Sequence, residues 1–343
     1  MNLHLFPRRG YVKQPTPIEW LPRLSERLGV EVHAKRDDLL EGCLGGNKTR
    51  KLDFSIAKAI SQGADALITC GAIQSNHCRL TLAWAIRENL ECHLILEERV
   101  KDTYDPKGSG NNFLFNLLQA NSVKVVPGGS DVHGEMERLS EKLIAQGKRP
   151  FLIPGGAADP VGALGYAACA QEITGQLLES GQSFSHLVCA SGSGGTQAGL
   201  LAGFAATNTP IKVIGVNVRR PDRKTQEDLI LGLTRDTLSL LGFKGEFDPS
   251  QVHCDERFLG LGYSRPSETT LEAVRLLART EAILVDPVYT GKSLAGLIGL
   301  AREGYFKRGD KVLFLHTGGF PALFTYLELF PEVVGPWAAQ GGD

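Results

Sequence analysis

Short apolar segments alternate with longer amphipathic segments along the chain, and this alternation limits the fold more than any other feature. The apolar segments are rich in Val, Ile and Leu and are bounded by Gly, Asp or Pro. They predict strands at residues 31–35, 66–70, 92–97, 123–126, 151–153, 186–190, 213–218, 283–285 and 312–316. The amphipathic segments predict helices at residues 49–62, 76–88, 112–118, 131–146, 162–180, 196–206, 224–241, 267–279, 294–303 and 321–330. This pattern indicates an α/β protein with open, twisted parallel sheets and helices on both faces.

The length and the charge of the chain narrow the possible functions. A chain of 343 residues predicts about two domains, and the Gly/Pro-rich break at 154–160 separates two α/β halves. The chain carries 37 Lys and Arg against 38 Asp and Glu, so it has no basic surface for nucleic acid or an anionic membrane. No apolar segment approaches the ~18 residues of a membrane span, and we expect no signal peptide in the first 20 residues.

The seven cysteines are spread singly, without a CxxC pair or the spacing of a zinc site. Most of them lie in apolar segments, as buried thiols do in a reducing compartment. We therefore expect a cytoplasmic protein that binds no metal.

The loop at 191–196, Ser-Gly-Ser-Gly-Gly-Thr, joins a predicted strand to a predicted helix. Its glycines would let backbone N–H groups converge at the N-terminus of the helix, where phosphate binds well. A dinucleotide fingerprint would need Gly at Gln197, and a nucleophile elbow would need Gly at Ser191. A P-loop ending at 291–293 would need Gly at Asp286. A bare phosphate-binding loop and an ordinary tight turn both stay open.

Two glycines precede Lys48 at the start of a predicted helix, and Lys51 lies on the same side of its first turn. A positive charge is disfavoured at a helix N-terminus by the macrodipole, and desolvation disfavours it further. Both effects lower the pKa of a lysine and favour a nucleophilic amine. Taken alone, the segment also fits a solvated basic turn.

Polar side chains follow three further predicted strands. Gln74, Ser75, Asn76 and His77 form a set of neutral donors suited to a carboxylate, although Ser75 also fits a simple N-cap. Hydroxyl groups follow two later strands, at Tyr289, Thr290 and Thr317. Ligands of open α/β sheets bind beyond the carboxyl ends of the strands. A phosphate loop without nucleotide spacing, an activated lysine and neutral carboxylate donors together indicate pyridoxal 5′-phosphate (PLP).

Several motifs resemble those of the D-cysteine desulfhydrase and 1-aminocyclopropane-1-carboxylate (ACC) deaminase group of PLP-dependent enzymes. They extend from end to end of the chain and read FPRR, PTPIEWLPRLS, KRDD, GGNKTRKL, GAIQSNHCRLT, SGSGGTQAGL, DPVYTGKS and HTGGFPALF. The resemblance implies the two-domain fold type II of the tryptophan synthase β type. The larger, PLP-binding α/β domain would comprise residues 1–50 and 161–343, and the smaller α/β domain residues 51–160. A homodimer is also implied.

The resemblance further implies which residues act. Lys48 would hold PLP as a Schiff base, and Asn76 would bind the hydroxyl group of the ring. The residues implied in cofactor binding are Lys48, Lys51, Asn76, Ser193, Gly194, Gly195, Thr196 and Thr317. The residues implied in substrate binding are Ser75, Asn76, His77, Tyr263, Tyr289 and Thr290. The residues implied in catalysis are Lys48, Ser75, Tyr263 and Tyr289.

Two positions distinguish the activities within this group. ACC deaminases carry Glu at the position of Thr290 and Leu at the position of Thr317, whereas desulfhydrases resemble this chain. Thr317 would be a neutral partner of the pyridine nitrogen, which suits β-elimination of a good leaving group.

Two departures from the pattern of the family concern the substrate. Ala157 and Ala158 replace a pair that usually carries a hydroxyl. Arg265 would place a cation near Tyr263, which would allow an acidic β-substituent, as in cysteate.

The resemblance thus implies a lyase that converts D-cysteine to pyruvate, hydrogen sulfide and ammonia. The base for the α-proton would be Lys48 or one of the two tyrosines. ACC deaminase is an alternative, as is a lyase or racemase acting on D-serine, β-chloro-D-alanine or cysteate. A non-catalytic protein that binds a phosphate-bearing ligand is an alternative from a different class. The expected partner is a small amino acid, with neither nucleic acid nor membrane.

Overall fold

The computed structural model describes residues 1–220 and 222–331. The strands in these ranges are β1 (Ile18–Trp20), β2 (Glu31–Arg36), β3 (Ala66–Ala72), β4 (Glu91–Glu98), β5 (Ser122–Pro127), β6 (Pro150–Ile153), β7 (His186–Ser191), β8 (Lys212–Asn217), β9 (His253–Asp255) and β10 (Lys311–His316). The α-helices are α1 (Pro22–Leu28), α2 (Lys48–Ser61), α3 (Asn76–Arg87), α4 (Asn111–Leu117), α5 (Val132–Ala145), α6 (Pro160–Ser180), α7 (Gly195–Thr207), α8 (Arg223–Leu240), α9 (Glu268–Glu281) and α10 (Thr290–Arg302). Short 3₁₀ helices cover Leu3–Leu5, Asp37–Leu39, Pro249–Gln251, Phe320–Thr325 and Leu327–Leu329.

The strands form two separate sheets. The larger sheet has the order β1-β2-β10-β7-β8-β9, in which only the edge strand β1 runs antiparallel to its neighbour. The smaller sheet has the order β5-β4-β3-β6 and is parallel throughout. The predicted α/β class with parallel sheets is therefore confirmed, with the addition of one antiparallel edge.

Strand β10 shows why the central strands read as continuous apolar segments. Val312 and Phe314 pack into one hydrophobic core with helices α9 and α10. Leu313 and Leu315 pack into a second core with α6 and α7, on the opposite face of the sheet. Because helices cover both faces, residues 312–315 of the strand are all apolar, and they lack the polar alternation of a half-exposed strand.

Glycines let three helices pack with their backbones in contact. A Cβ on Gly165 of α6 would lie 2.2 Å from the carbonyl oxygen of Arg50 in α2. A Cβ on Gly199 of α7 would lie 2.3 Å from the carbonyl oxygen of Ala163 in α6. Both positions therefore require glycine. The contact holds α2, and with it Lys48 at its first position, firmly against the α6–α7 pair.

Some predicted elements differ from the structure. Residues 283–285 form no strand, and the carbonyl of Leu284 accepts a hydrogen bond from His316 instead. The helix predicted at 321–330 consists of two 3₁₀ helices, closed by bonds between residues three apart. The prediction also missed β1, α1 and β9, which are too short to show a clear period.

The smaller sheet lies entirely between residues 66 and 153. The predicted domain boundary at 50/51 falls in the first turn of α2, and the boundary at 160/161 falls at the start of α6. Most of α2 belongs to the predicted smaller domain and α6 belongs to the predicted larger domain, yet the two helices pack against each other. The division into domains therefore stays a prediction. In the part of the chain that the structure describes, no helix combines the length and the apolarity needed to cross a membrane.

Candidate active site

A cavity of about 400 Å³ lies where the carboxyl ends of strands from both sheets meet. Loops that follow β3, β4 and β6 of the smaller sheet line it together with loops that follow β7, β8 and β10 of the larger sheet. The predicted site residues that line the cavity are Lys48, Ser75, Asn76, His77, Ser193, Gly194, Thr196, Tyr263, Tyr289 and Thr317. Lys51, Gly195 and Thr290 do not line it.

Lys48 is the first residue of α2, and the loop before it is fixed against the end of β10. The backbone N–H of Asn47 donates to the carbonyl of Thr317 at 3.1 Å. Gly46 has a φ of +120°, and a Cβ there would lie 3.2 Å from the same carbonyl oxygen. Burial lowers the pKa of the Lys48 amine to about 8. The amine is therefore a stronger nucleophile near neutral pH than an exposed lysine.

Lys51 lies behind Lys48 and is fully buried. Its Nζ donates to the carbonyl of Gly156 at 3.1 Å. A Cβ on Gly195 would lie 2.9 Å from this Nζ. Burial, and then the charge of Lys48, hold the pKa of Lys51 well below its ordinary value. The structure thus brings Lys51 to the loop predicted to bind phosphate, although neither Lys51 nor Gly195 lines the cavity.

The loop after β7 leads directly into the N-terminus of α7. Gly194 has a φ of +94°, which places it in the region that favours glycine. The hydroxyl of Thr196 accepts a hydrogen bond from the side chain of Asn47 at 3.1 Å. The hydroxyl of Ser193 bonds to no other described residue. This loop therefore offers backbone N–H groups and a free hydroxyl, with no carboxylate, to a bound anion.

The orientation of Asn76 is set by residues outside the cavity. Nδ2 of the buried Asn111 donates to Oδ1 of Asn76 at 2.9 Å, and Arg79 Nε donates to Oδ1 of Asn111 at 2.8 Å. This chain of bonds occupies the acceptor oxygen of Asn76 and leaves its Nδ2 as a free donor. Next to it, the Ser75 hydroxyl caps α3 by accepting from the backbone N–H of Cys78.

His77 presents an acceptor, where the sequence predicted a donor. The Thr69 hydroxyl donates to the carbonyl of Ile153 at 2.8 Å and lies 2.7 Å from Nε2 of His77. Since the hydroxyl proton is used on Ile153, we assign the ring proton to Nε2. Burial, and then Lys48 and Lys51, hold the pKa of His77 well below its ordinary value, so the ring is neutral. Its Nδ1 is buried without a partner among the described atoms.

Two tyrosines from separate segments meet at the cavity. The hydroxyl groups of Tyr263 and Tyr289 are hydrogen-bonded to each other, and their rings pack edge to face with centroids 5.7 Å apart. Burial, and then Tyr263, raise the pKa of Tyr289 well above its ordinary value. Lys292 supports the Tyr263 segment, because its Nζ donates to the carbonyls of Leu259 and Gly262 at 2.7 Å each.

Thr290 does not face the cavity, and its predicted contact with the substrate needs correction. The side chain is fully buried, and its hydroxyl donates to Oδ1 of Asp286 at 2.6 Å. The other oxygen of Asp286 accepts the backbone N–H groups of Val288 and Tyr289, both at 2.8 Å. Thr290 and Asp286 thus form the turn that positions Tyr289. Thr317, by contrast, lines the cavity, and its hydroxyl has no bonding partner within the described chain.

The sequence missed two arginines and chose a third that lies elsewhere. Arg99 follows β4, Arg219 follows β8, and both line the cavity together with Glu97. The rule that chemistry lies beyond the carboxyl ends of parallel strands would have identified both. Arg265, which the sequence placed near Tyr263, is exposed and does not line the cavity.

The residues of the cavity fit PLP. The amine of Lys48, whose pKa burial lowers to about 8, suits the aldehyde. The loop at 192–196 suits the phosphate, and Nδ2 of Asn76, which has no partner among the described residues, suits the ring hydroxyl. A Cβ on Gly156 would lie 2.5 Å from the hydroxyl of Ser193 and 3.6 Å from Nζ of Lys48, so glycine keeps this space open. No cluster of metal-binding side chains occurs among the residues described.

Comparison with known proteins agrees with this fit. The family model described as pyridoxal-phosphate dependent enzyme matches residues 11–318. The chain belongs to this family, and PLP is its cofactor. It is 40% identical over 326 residues to the D-cysteine desulfhydrase of Salmonella typhimurium, covering 95% of this chain and 98% of that protein. The same identity and coverage hold for the D-cysteine desulfhydrase of Salmonella paratyphi C.

Solved structures give the same result for the fold. A structure described as an ACC deaminase homologue has a TM-score of 0.86 at 34% identity, covering 97% of this chain and 98% of that one. O-ureido-L-serine synthase has a TM-score of 0.67 at 19% identity, covering 95% of this chain and 96% of that one. The second likeness shows the fold alone. The expected PLP fold type II is thus confirmed.

Proposed function

We propose that this chain is a PLP-dependent β-eliminating lyase that converts D-cysteine to pyruvate, hydrogen sulfide and ammonia. The observation that carries the proposal is the free hydroxyl of Thr317 in the cavity that Lys48 also lines, where burial lowers the pKa of the Lys48 amine to about 8. A neutral hydroxyl at this position suits elimination of a good leaving group. The similarity to D-cysteine desulfhydrases over nearly the whole chain supports the same activity.

The cofactor would be held at three points. Lys48 would bind it covalently, while Ser193, Gly194, Gly195 and Thr196 would bind its phosphate, with Lys51 behind them. Asn76 would donate to the ring hydroxyl, and Thr317 would meet the pyridine nitrogen. PLP supplies an electron-withdrawing ring that makes the α-proton of a bound amino acid acidic.

The chain would supply the remaining chemistry. The substrate carboxylate would lie at the N-terminus of α3, where the Ser75 hydroxyl and free backbone N–H groups are donors. The amine of Lys48, with its pKa of about 8, can accept a proton near neutral pH. The bonded hydroxyls of Tyr263 and Tyr289 offer a second group that can move a proton to or from the substrate. His77 would accept a hydrogen bond at Nδ1 from a donor in the cavity.

The proposal is tested by measuring sulfide and pyruvate released from D-cysteine and L-cysteine by the PLP-loaded protein, with ACC assayed beside them. Sulfide and pyruvate in equal amounts from D-cysteine, with no ammonia from ACC, would support it. Ammonia and 2-oxobutanoate from ACC would instead favour ACC deaminase, for which the structural neighbour gives a specific reason. No product from any of the three substrates would contradict the proposal.

We further propose that the protein is a homodimer, as the resemblance implies, and that it is cytoplasmic, as its singly spread cysteines indicate. Light scattering coupled to size-exclusion chromatography would measure the mass in solution. A mass of one chain across the working concentration range would contradict the dimer.

A further inference from the structure

Two arginines in the cavity are not used by the proposed reaction. Arg99 follows β4, and its Nε donates to Oε2 of Glu97 at 2.6 Å. Its guanidinium carbon also lies 4.5 Å from the centroid of the Tyr263 ring. Arg219 follows β8 and is partly buried, and its guanidinium makes no hydrogen bond or ion pair within the ranges described. Arg99 is therefore paired with Glu97, whereas no partner among the described residues explains the place of Arg219 in the cavity lining.

The charges around this pair do not balance. Glu97 is the only carboxylate that lines the cavity in the described chain, and it also accepts the backbone N–H of Gly129 at 3.0 Å. The basic side chains that line the same cavity are Lys48, His77, Arg99, His133 and Arg219. Burial, and then the charge of Arg99, lower the pKa of Arg219. The charge of Arg99 and the burial of Arg219 both disfavour a second cation here, so an anion bound beside Arg219 would be stabilised.

The pair lies apart from the places already assigned to anions. The phosphate is expected at 192–196, where Lys51 and Gly156 meet. The substrate carboxylate is expected at the start of α3. Arg99 lies instead against the Tyr263 ring, and Tyr263 bonds to Tyr289. Arg219 is close enough to Arg99 and to both tyrosines for their charges to affect its pKa. That part of the cavity is left for the side chain of the amino acid.

We propose that Arg99 and Arg219 form a subsite for an anionic β-substituent, so that the chain acts on three-carbon amino acids bearing a β-sulfonate, such as cysteate. The inference rests on the proposed function, of which it names the substrate class. A sulfonate is always ionised near neutral pH, and it has three acceptor oxygens. A planar guanidinium group binds such an oxoanion through two parallel hydrogen bonds, and a thiol has no pair of oxygens to accept them.

The reaction is balanced without an oxidant or a reductant. A base removes the α-proton, the electron pair forms the Cα–Cβ double bond, and the Cβ–S bond breaks with its electrons going to sulfur. Sulfite leaves, and the arginines neutralise its charge. Water then hydrolyses the aminoacrylate, so that cysteate and one water give pyruvate, ammonium and hydrogen sulfite.

The first experiment compares three substrates that differ only in the β-substituent: cysteate, cysteine and β-chloroalanine, each as both enantiomers. We expect Arg219→Gln to lower kcat/KM for cysteate by about 10- to 100-fold, the effect of losing a charge-assisted hydrogen bond. β-Chloroalanine has a neutral substituent, and its kcat/KM should not change. Arg265→Gln is the matched control, because it removes an exposed arginine from the segment of Tyr263 and should change neither value.

An equal loss for all three substrates in Arg219→Gln would place the arginines at the α-carboxylate and overturn the inference. Turnover of β-chloroalanine or cysteine without turnover of cysteate by the unaltered enzyme would also overturn it, while leaving the proposed elimination intact.

The second experiment measures binding without turnover. 3-Sulfopropanoate has the carboxylate and the sulfonate but no amine, so it cannot react, and butanoate is its neutral-tailed counterpart. Calorimetric titration of the PLP-loaded protein should show that 3-sulfopropanoate binds at least about 10-fold more tightly, and that Arg219→Gln removes the difference. This preference would support the subsite even if no substrate were eliminated, in which case the proposed function alone would fail. Equal binding of the two acids would overturn the subsite.

Discussion

The two sides of the cavity are built in different ways. On the proposed phosphate side, which comprises Lys51, Gly156 and residues 193–196, backbone N–H groups and glycines shape the site, and none of these residues carries a carboxylate. On the side-chain side, which comprises Arg99, Arg219, Tyr263 and Tyr289, long side chains from four separate segments create it. The first side takes its shape from the fold of the main chain. The second side depends on which side chains the loops carry.

The difference teaches which property each side controls. A backbone site binds one constant group, because its donors do not change when side chains do. A side-chain site determines which substrate is accepted, because charge and size vary with a single residue. Variants of the phosphate side should therefore change the affinity for PLP, and variants of the side-chain side should change kcat/KM at unchanged affinity for PLP.

Lys48→Ala should affect both PLP binding and turnover, because Lys48 would bind the cofactor and also accept a proton. We expect covalent PLP to disappear and turnover of D-cysteine to fall by more than about 10³-fold, since both the nucleophilic amine and a proton acceptor are lost. Borohydride reduction followed by peptide mass spectrometry measures the first effect. Lys58→Ala, at an exposed position of the same helix, is the control. Full activity of Lys48→Ala would refute the assignment of the site.

Tyr289→Phe tests the side-chain side. Removing the hydroxyl that bonds to Tyr263 should lower kcat/KM on the order of 100-fold, because proton transfer loses one partner. The affinity for PLP, measured by fluorescence titration, should stay unchanged. Tyr305→Phe lies outside the cavity and should match the unaltered enzyme. A large loss of PLP affinity in Tyr289→Phe would remove the division between the two sides.

Gly156→Ala tests the phosphate side. Its φ of +75° disfavours alanine, and the new Cβ would lie 2.5 Å from the Ser193 hydroxyl. We expect the affinity for PLP to fall by about 10- to 100-fold, as overpacking of a tight site does. Gly147 has a φ of +82°, and a Cβ there would have no atom within 4 Å. Gly147→Ala is the control, because it introduces the same backbone strain without a steric clash. Equal PLP affinities in these two variants would show that the space at Gly156 is not part of the site.

Asn111→Asp tests a residue that acts through another. Aspartate would accept a hydrogen bond from Asn76, so the amide would turn and present its oxygen to the cavity. We expect about 10-fold weaker PLP binding and a shifted absorption maximum of the bound cofactor. Asn116→Asp lies at an exposed position of the same helix and should leave the spectrum unchanged. An unchanged spectrum in Asn111→Asp would show that Asn76 keeps its orientation without this bond.

The smallest effect concerns pH. The amine of Lys48 reacts only in its neutral form, and burial lowers its pKa to about 8, compared with about 10.4 for an exposed lysine. The rate of PLP binding to the apo protein should therefore rise with pH and reach half its maximum near pH 8. Stopped-flow absorbance measures this rate. A midpoint above pH 10 would show that the amine is not desolvated.

The sequence predicted the phosphate side better than the side-chain side, for a physical reason. Lys48 and residues 193–196 belong to short motifs at helix N-termini, where chain neighbours make the site. Arg99 and Arg219 belong to no such motif. Their positions after β4 and β8 indicate that they lie near a site, but only the tertiary structure shows that these two strands, from different sheets, end at the same cavity. Thr290 was misplaced for a related reason. Thr290 lies in the expected motif after Tyr289. Only the tertiary structure shows that its hydroxyl donates to Asp286 and so does not face the cavity.

The close contact of α2, α6 and α7 at Gly165 and Gly199 has a consequence for evolution. Any side chain larger than hydrogen at these two positions would push the three helices apart. Substitutions that preserve the packing of these helices are therefore rare at Gly165 and Gly199. The residues that follow β4 and β8 can vary without changing the contact of α2, α6 and α7. A library that randomises only positions 99 and 219 should therefore yield enzymes with new substrate ranges and undiminished folding, and a library at the buried glycines should yield almost none.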